Sequence, residues 1–383
     1  MGPRHLYKLL HDLCLNRGVY KYSNVSEFLA RERTNSPYVV AIDANLYAVK
    51  YKRVFDRIEY GFLKQVTMTL RQEMIPIYVF DGHSPKGKGG TIQKRREKQQ
   101  KIIDKLNDKL STTDFSPNIG QLDFGQLLSY INIMSDTLNK NDEIALVEDD
   151  LIDDDTQQLS DPKQNMTELN DLTIKSRHIT TKDITNLKRF FTELKIPFIT
   201  AQGEADDMIA TLYQKGIIDV CQSDDMDMLP KGCHNLIQIN NTGVTQFVLT
   251  DILETIHLTY EQFVDLCILL GSDYYVEYYP KLKPMELFMI FCLCPSLEEF
   301  VTYYSKTDDK IESHLIDYQG VRKFFIGLDE KMDANEVIKT LHIDPLRIES
   351  VKNYFRANKL LLGNQYYLIN SINKLNKQHE EPK

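Results

Sequence analysis

The chain has no tryptophan, six scattered cysteines and no stretch of eighteen consecutive apolar residues. The last absence excludes a membrane-spanning helix of ordinary length. Without CxxC spacing, the cysteines suggest neither a zinc site nor a disulfide framework, and buried reduced thiols of an intracellular protein are expected. The start, MGPRHLYKLLHDL, lacks a cationic-then-apolar leader and reads as an amphipathic helix. Leu6 stands where a myristoylation signal needs Ser or Thr. Positive charge is also short overall, with a net charge of −9, which taken alone argues against a nucleic-acid partner.

That balance conceals a segregation of charge. Residues 142–171 hold eleven acids and one lysine, a local −10, which leaves the rest of the chain near +1. Residues 84–105 hold eight Lys/Arg against two acids. The acidic stretch has too few apolar residues to offset the entropy of ordering and reads as a flexible insertion, while the basic stretch reads as a phosphate-gripping surface.

Two β-branched and aromatic runs, YVVAIDAN (38–45) and IPIYVFDG (75–82), have strand length and end in aspartate, with a helical pattern between them. The order β–α–β predicts a parallel crossover, with Asp43 and Asp81 at the carboxyl ends of the strands, where open α/β sheets hold ligands. Further on, a helix with Ile184, Leu187, Phe191 and Leu194 on one face leads to the strand IPFIT. GEADDMIATLYQKG predicts a helix closed by Gly216, and GIIDVCQSDDMDML a fourth strand with acids at its end. LTYEQFVDLCILLG predicts a helix with a Thr259/Gln262 capping box and a stop at Gly271, followed by Asp273. Residues 276–383 are mostly helical in pattern.

Asp43, Asp81, Glu204, Asp206, Asp225, Asp227 and Asp273 therefore all fall at the ends of apolar elements. Taken singly, each reads most simply as a turn former or helix cap. Gathered at one sheet edge they would repel one another, and hard divalent cations would relieve that repulsion. Oxygen donors without a suitably spaced His or Cys predict Mg²⁺, with Mn²⁺ able to substitute, and a pair of such ions suits phosphodiester hydrolysis. Asp225 and Asp227, two apart in an extended chain, are expected to project together, with Asp224 facing away to cap a turn. Glu204 and Asp206 share the cleft only if Glu204 precedes the helix proper. In SPKGKGGTIQKRREKQQK (84–101), Lys88 and Arg95 are placed to stabilise charge at the scissile phosphate. Lys94, Lys98 and Lys101 share a helix face suited to tracking a backbone.

The order VAIDAN, PIYVFDG, KRREK, GEADDMIA, SDDMDML and EQFVDLCILLGSDY resembles the flap endonucleases of the structure-specific 5′ nuclease superfamily, over roughly 1–100 and 176–275. The resemblance implies a PIN-like core, a mixed, mainly parallel twisted sheet with helices on both faces, together with a helical arch and a helical C-terminal region. It divides the chain into 1–106 (N-terminal nuclease region), 107–175 (arch and acidic insertion), 176–275 (internal nuclease region) and 276–383 (helical DNA-binding region). It implies two Mg²⁺ ions on the seven acids, Lys88 and Arg95 at the two catalytic basic positions of the gateway, and Gly2 near the DNA junction. The implied partner is branched or flapped DNA, cut by a monomer at intracellular sites of replication, repair and recombination. A junction- or bubble-cutting nuclease of the superfamily, or a non-catalytic nucleic-acid scaffold, are the alternatives.

The chain departs from that pattern in three places. EYYPKLKPMELF (277–288) lacks the glycines of the family's cation-binding hairpin, leaving Lys281 and Lys283 as phosphate contacts. The acidic insertion has the charge of a nucleic-acid mimic, which suggests autoinhibition. Neither a sliding-clamp motif nor a basic tail is found, as would suit a viral or diverged member. The family's stacking tyrosine is displaced, and Tyr47 or Tyr51 is expected to take its place.

Overall fold

The computed structural model describes residues 5–14, 17–32, 38–55, 57–82, 89–112, 172, 174–240, 242–271, 282–294, 296–305 and 318–326. The strands are β1 (Val19–Tyr22), β2 (Tyr38–Asp43), β3 (Met74–Phe80), β4 (Phe198–Thr200), β5 (Val220–Gln222), β6 (Asn235–Asn240) and β7 (Gly243–Val248). They form one sheet in the order β1-β7-β6-β5-β2-β3-β4. The pairings from β6 through β5, β2 and β3 to β4 are parallel, and β7 runs antiparallel to both β6 and β1. The expected mixed, mainly parallel sheet is present, with β1, β6 and β7 added to the four strands legible in sequence.

Alternation along the central strands separates two cores. Ala41, Ile77 and Val79 face one core, while Val40, Ile42, Tyr78 and Phe80 face the other. The second core is covered by α3 (Ala44–Val54), α4 (Glu59–Arg71) and α6 (Thr181–Leu194). Its centre is aromatic: Tyr78 stacks on Phe191 at 4.5 Å between centroids, and Phe62 meets Tyr78 edge-on at 5.5 Å. Leu187, Phe190, Phe191 and Leu194 are the buried residues of α6, so its apolar face includes Phe190, while Ile184 is partly buried at its margin.

The opposite core is covered by α1 (Leu6–Leu13), α7 (Ala205–Gln214), α8 (Leu249–Ile256) and α9 (Tyr260–Leu269). The Thr259/Gln262 capping box on α9 is present, and Gly271 ends the element at φ 84. Helices α2 (Val25–Glu32) and α5 (Gly89–Thr112) complete the N-terminal half, and α10 (Pro284–Leu293), α11 (Leu297–Ser305) and α12 (Tyr318–Ile326) follow α9. α5 is continuous for 24 residues and runs past the boundary expected at 106. The acidic stretch 142–171 lies outside the described residues.

One buried ionic junction joins the C-terminal helices to α9. Asp265 is buried, and Arg322 donates to both its oxygens at 2.5 and 2.6 Å and to both Glu298 oxygens at 2.7 and 2.9 Å. The Leu297 amide donates to the same Asp265 carboxylate at 3.1 Å. Removing the guanidinium strands a buried charge, so Arg322→Ala is expected to cost about 3 kcal/mol. A fall in the urea midpoint would register it. Asp265→Asn in the same background should recover part of the loss, because the stranded charge is then gone.

Candidate metal centre and nucleic-acid interface

Strands β3 and β4 follow β2 on one side of it, and β5 and β6 lie on the other. The order therefore reverses at the β2/β5 boundary, where the carboxyl ends of adjacent parallel strands diverge and open a crevice. Six of the seven acids read from sequence lie at the ends of elements on this side of the sheet.

Asp43 is the last residue of β2 and the N-cap of α3, accepting from the Leu46 amide at 3.0 Å. It is buried. Burial, followed by the nearby Asp206 and Asp81 carboxylates, pushes its carboxyl well above the usual range. Asp81 follows β3 and reaches the start of α7, accepting from the Ala205 amide at 2.8 Å. Glu204 has extended backbone (φ −85, ψ 148) and is the N-cap of α7, so it does precede the helix proper; Asp206 lies in the first turn, where the helix dipole favours anions. Both are buried.

Asp225 and Asp227 come together by a route other than strand parity. β5 ends at Gln222, and Met226–Met228 is a turn of 3₁₀ helix capped by Asp225, whose Oδ1 accepts from the Asp227 amide at 3.0 Å. The parity argument is thereby corrected: in tight helical geometry it is the cap that turns the two carboxylates to the same crevice. Asp227 is 1% exposed. Burial and then Asp225 push its carboxyl well above its ordinary value, with Lys231 acting in the opposite sense. Asp224 was expected to cap a turn, but it forms an ion pair with Lys50, whose ammonium burial pushes down to about 8.

A close approach of two loops sets Asp81 in place. The Gly82 amide donates to the Gly203 carbonyl at 2.8 Å, and a Cβ on Gly82 would sit 2.0 Å from the Ala201 carbonyl oxygen. No side chain fits there without moving main chain. Gly82→Ala is expected to displace Asp81 and lower turnover by about 10²-fold with the fold retained, as comparison of kcat with circular dichroism would reveal.

The other positions read from sequence are less gathered. Asp273, Lys88, Gly2 and Lys281 lie outside the described residues. Lys94 and Arg95 fall within α5, and their side chains are likewise outside them; Lys98 and Lys101 are exposed on that helix. Lys283 is the N-cap of α10, its amide donating to Glu286 at 3.0 Å. Tyr47 does not offer a face to a base. It is 5% exposed, its ring packs near Tyr51, and its hydroxyl accepts from Gln222 at 3.0 Å. Tyr51 packs edge-on against Phe62 and beside Gly61, so it too belongs to the wall of the core.

Sequence reasoning overlooked Lys231 and Asp207. Lys231 is fully buried, with Nζ 2.6 Å from Asp207 Oδ1 and 3.4 Å from Glu204 Oε2. The signal lay in a lysine two residues beyond SDDMDML, where burial next to so many acids is the only inexpensive burial for an ammonium.

Among the described residues, no three His, Cys, Asp or Glu side chains stand close enough to enclose a metal ion. The donor set nevertheless suits a hard divalent cation. Its members are all carboxylates, two of them are held protonation-prone by burial and then by their neighbours, and Asp227 Oδ1 is buried without a hydrogen-bond partner.

Residues 32–102 match the XPG N-terminal domain and residues 195–273 match the XPG I-region. The chain carries both regions that define the XPG family. Both matched regions contribute to the crevice, the first carrying Asp43 and Asp81 and the second the acids from Glu204 onward. Among its relatives, the chain is 25% identical over 284 residues to flap endonuclease 1 of Enterocytozoon bieneusi, covering 72% of this chain and 65% of that protein. It thus spans slightly less than two thirds of the relative's length. Solved structures share the fold. Flap endonuclease-1 from Methanococcus jannaschii gives a TM-score of 0.56 at 14% identity, over 96% of this chain and 99% of that one. Human GEN1 in complex with Holliday junction DNA gives 0.61 at 13% identity, over 100% and 81%. Members of the family are nucleases. Among the described residues, no helix is long and apolar enough to cross a membrane.

Proposed function

We propose that this chain is a divalent-metal-dependent, structure-specific nuclease that hydrolyses a DNA phosphodiester at a 5′-flap junction, with 5′-exonuclease activity on the same site. The observation that carries the reading is the convergence of Asp43, Asp81, Glu204, Asp206, Asp225 and Asp227 on the β2/β5 crevice, from four separate strand ends. These six and Asp273 are the residues that would hold Mg²⁺, with Mn²⁺ as a substitute. A bound pair of such ions supplies Lewis acidity toward water and offsets charge on the leaving oxygen.

The chain's own groups do the rest. The Leu46 and Ala205 amides aim the Asp43 and Asp81 carboxylates before substrate arrives. Lys88, and Arg95 of α5, are assigned to the scissile phosphate. Lys94, Lys98 and Lys101 track the adjoining backbone, and at roughly 1.5 Å per residue the 24-residue α5 is long enough to follow several phosphates. Lys281 and Lys283, with Gly2 near the junction, are assigned to duplex DNA. The proposed setting is replication, repair and recombination, by a monomer without a recognisable clamp motif.

A second reading, cleavage of four-way junctions, is favoured by the GEN1 likeness in fold alone. Labelled flap, nicked, bubble and four-way substrates, each with Mg²⁺ and with EDTA, separate the two. The proposal expects a dominant incision at the base of the flap that EDTA abolishes. Preferential, symmetrical cutting of the four-way junction would transfer it to the second reading, and no product from any substrate would leave a nucleic-acid scaffold.

A further inference from the structure

A fully buried ammonium at a site proposed for divalent cations is electrostatically out of place. Lys231 follows the 3₁₀ turn that carries Asp225 and Asp227, and its amide donates to the Asp227 carbonyl at 3.1 Å. Its side chain crosses to the start of α7, where it bonds Asp207 at 2.6 Å and lies 3.4 Å from Glu204. It therefore ties together the two segments that supply four of the six described acids. The surrounding turn holds it in place: the Pro230 carbonyl accepts from the Tyr260 hydroxyl at 2.6 Å, and Gly232 takes φ 88.

Resting on the metal-site reading above, we propose that Lys231 is a positioning residue and a built-in counter-charge. It holds Glu204 in place through one carboxylate oxygen and competes with the incoming divalent cation for the negative charge of the crevice. Asp207 has the complementary task. It is partly exposed, its side chain 34% accessible, and it anchors the ammonium by the shorter contact, at 2.6 against 3.4 Å. A charge this close to a ligand oxygen acts strongly at low effective dielectric, whereas a surface lysine beyond a Debye length is screened. The arrangement lets the acid cluster fold without metal, at the expense of weaker cation binding than the bare carboxylates would give.

The test is Mn²⁺ binding, followed by electron paramagnetic resonance of the free ion, alongside melting temperature in EDTA. Lys231→Met is expected to bind Mn²⁺ about tenfold more tightly than the wild type and to melt lower in EDTA. Lys231→Arg should restore both toward wild-type values. Should Lys231→Met fail to fold, Asp207→Asn gives the complementary reading: the ammonium keeps Glu204 as its acidic partner, and Mn²⁺ binding should weaken several-fold. Lys188→Met, at a cation bonded to Thr200 instead, controls for net charge and should shift affinity less than about twofold. Equal shifts for Lys231→Met and Lys188→Met, or unchanged binding in Lys231→Met, would overturn the inference. Absence of Mn²⁺ binding by the wild type would instead remove the metal-site reading beneath it.

Discussion

Asp225→Ala is expected to lower flap cleavage by at least about 10³-fold, roughly 4 kcal/mol of transition-state stabilisation, while changing DNA affinity by less than about threefold. The asymmetry follows from the position of Asp225. Its carboxylate caps the 3₁₀ turn through the Asp227 amide and faces Asp227, so its removal takes away a proposed ligand and releases its neighbour together. The groups assigned to gripping DNA are the basic residues of α5, on another element. Single-turnover cleavage and a fluorescence-anisotropy titration in Ca²⁺ read the two quantities separately. Turnover within tenfold of wild type would remove Asp225 from the metal site. An equal loss in affinity would make it a structural residue.

Asp227→Asn is expected to stabilise the metal-free protein by about 1–2 kcal/mol and to reverse that advantage in Mg²⁺. The Asp227 carboxyl is raised by burial and by Asp225, so the folded state holds its proton more tightly than the unfolded chain. The stability this lends is fully present below the ordinary value of 3.8 and is lost as pH rises through the raised one. Asp43 has the same sign. In EDTA, the wild-type melting temperature should therefore decline as pH rises from about 4 toward neutrality, and Asp227→Asn should flatten that decline. Mg²⁺, which favours the ionised form, should abolish the decline in the wild type. Scanning fluorimetry across pH, with and without the ion, reads all of these. A wild-type profile unaffected by Mg²⁺ would show that the cation does not relieve this repulsion.

Much of the core was legible because its signals are local. The runs ending in Asp43 and Asp81 are strands whose composition suits burial on both faces, and the order β–α–β dictates how they pair. β6 and β7 were harder: NLIQIN and GVTQFV carry glutamine and threonine at buried positions, so their apolar alternation is broken. Their polar groups are satisfied within the sheet, Gln246 donating to Asn235 at 2.9 Å and accepting from Tyr22 at 2.7 Å. The Tyr22 partner is 224 residues away and invisible to a windowed reading.

The acids themselves were identifiable from their positions at element ends, but the reason Asp225 and Asp227 converge was not. Parity presumes an extended chain, and the backbone instead tightens into a 3₁₀ turn just where Asp225 finds the Asp227 amide. Tyr47 shows the complementary difficulty. Its place just after the first aspartate suggested an open stacking ring, yet the turn that begins α3 sends it inward to Gln222. Lys231 could be recognised only once α7 and the 3₁₀ turn were known to be neighbours.

β3 pairs with β4 in parallel, although well over a hundred residues of chain lie between them. A polypeptide emerging from the ribosome therefore completes the strands bearing Asp43 and Asp81 long before the remaining acids exist. During that interval only two of the six described acids of the crevice have been made. The acid set of the proposed site is thus completed late, with the closure of the longest connection in the core.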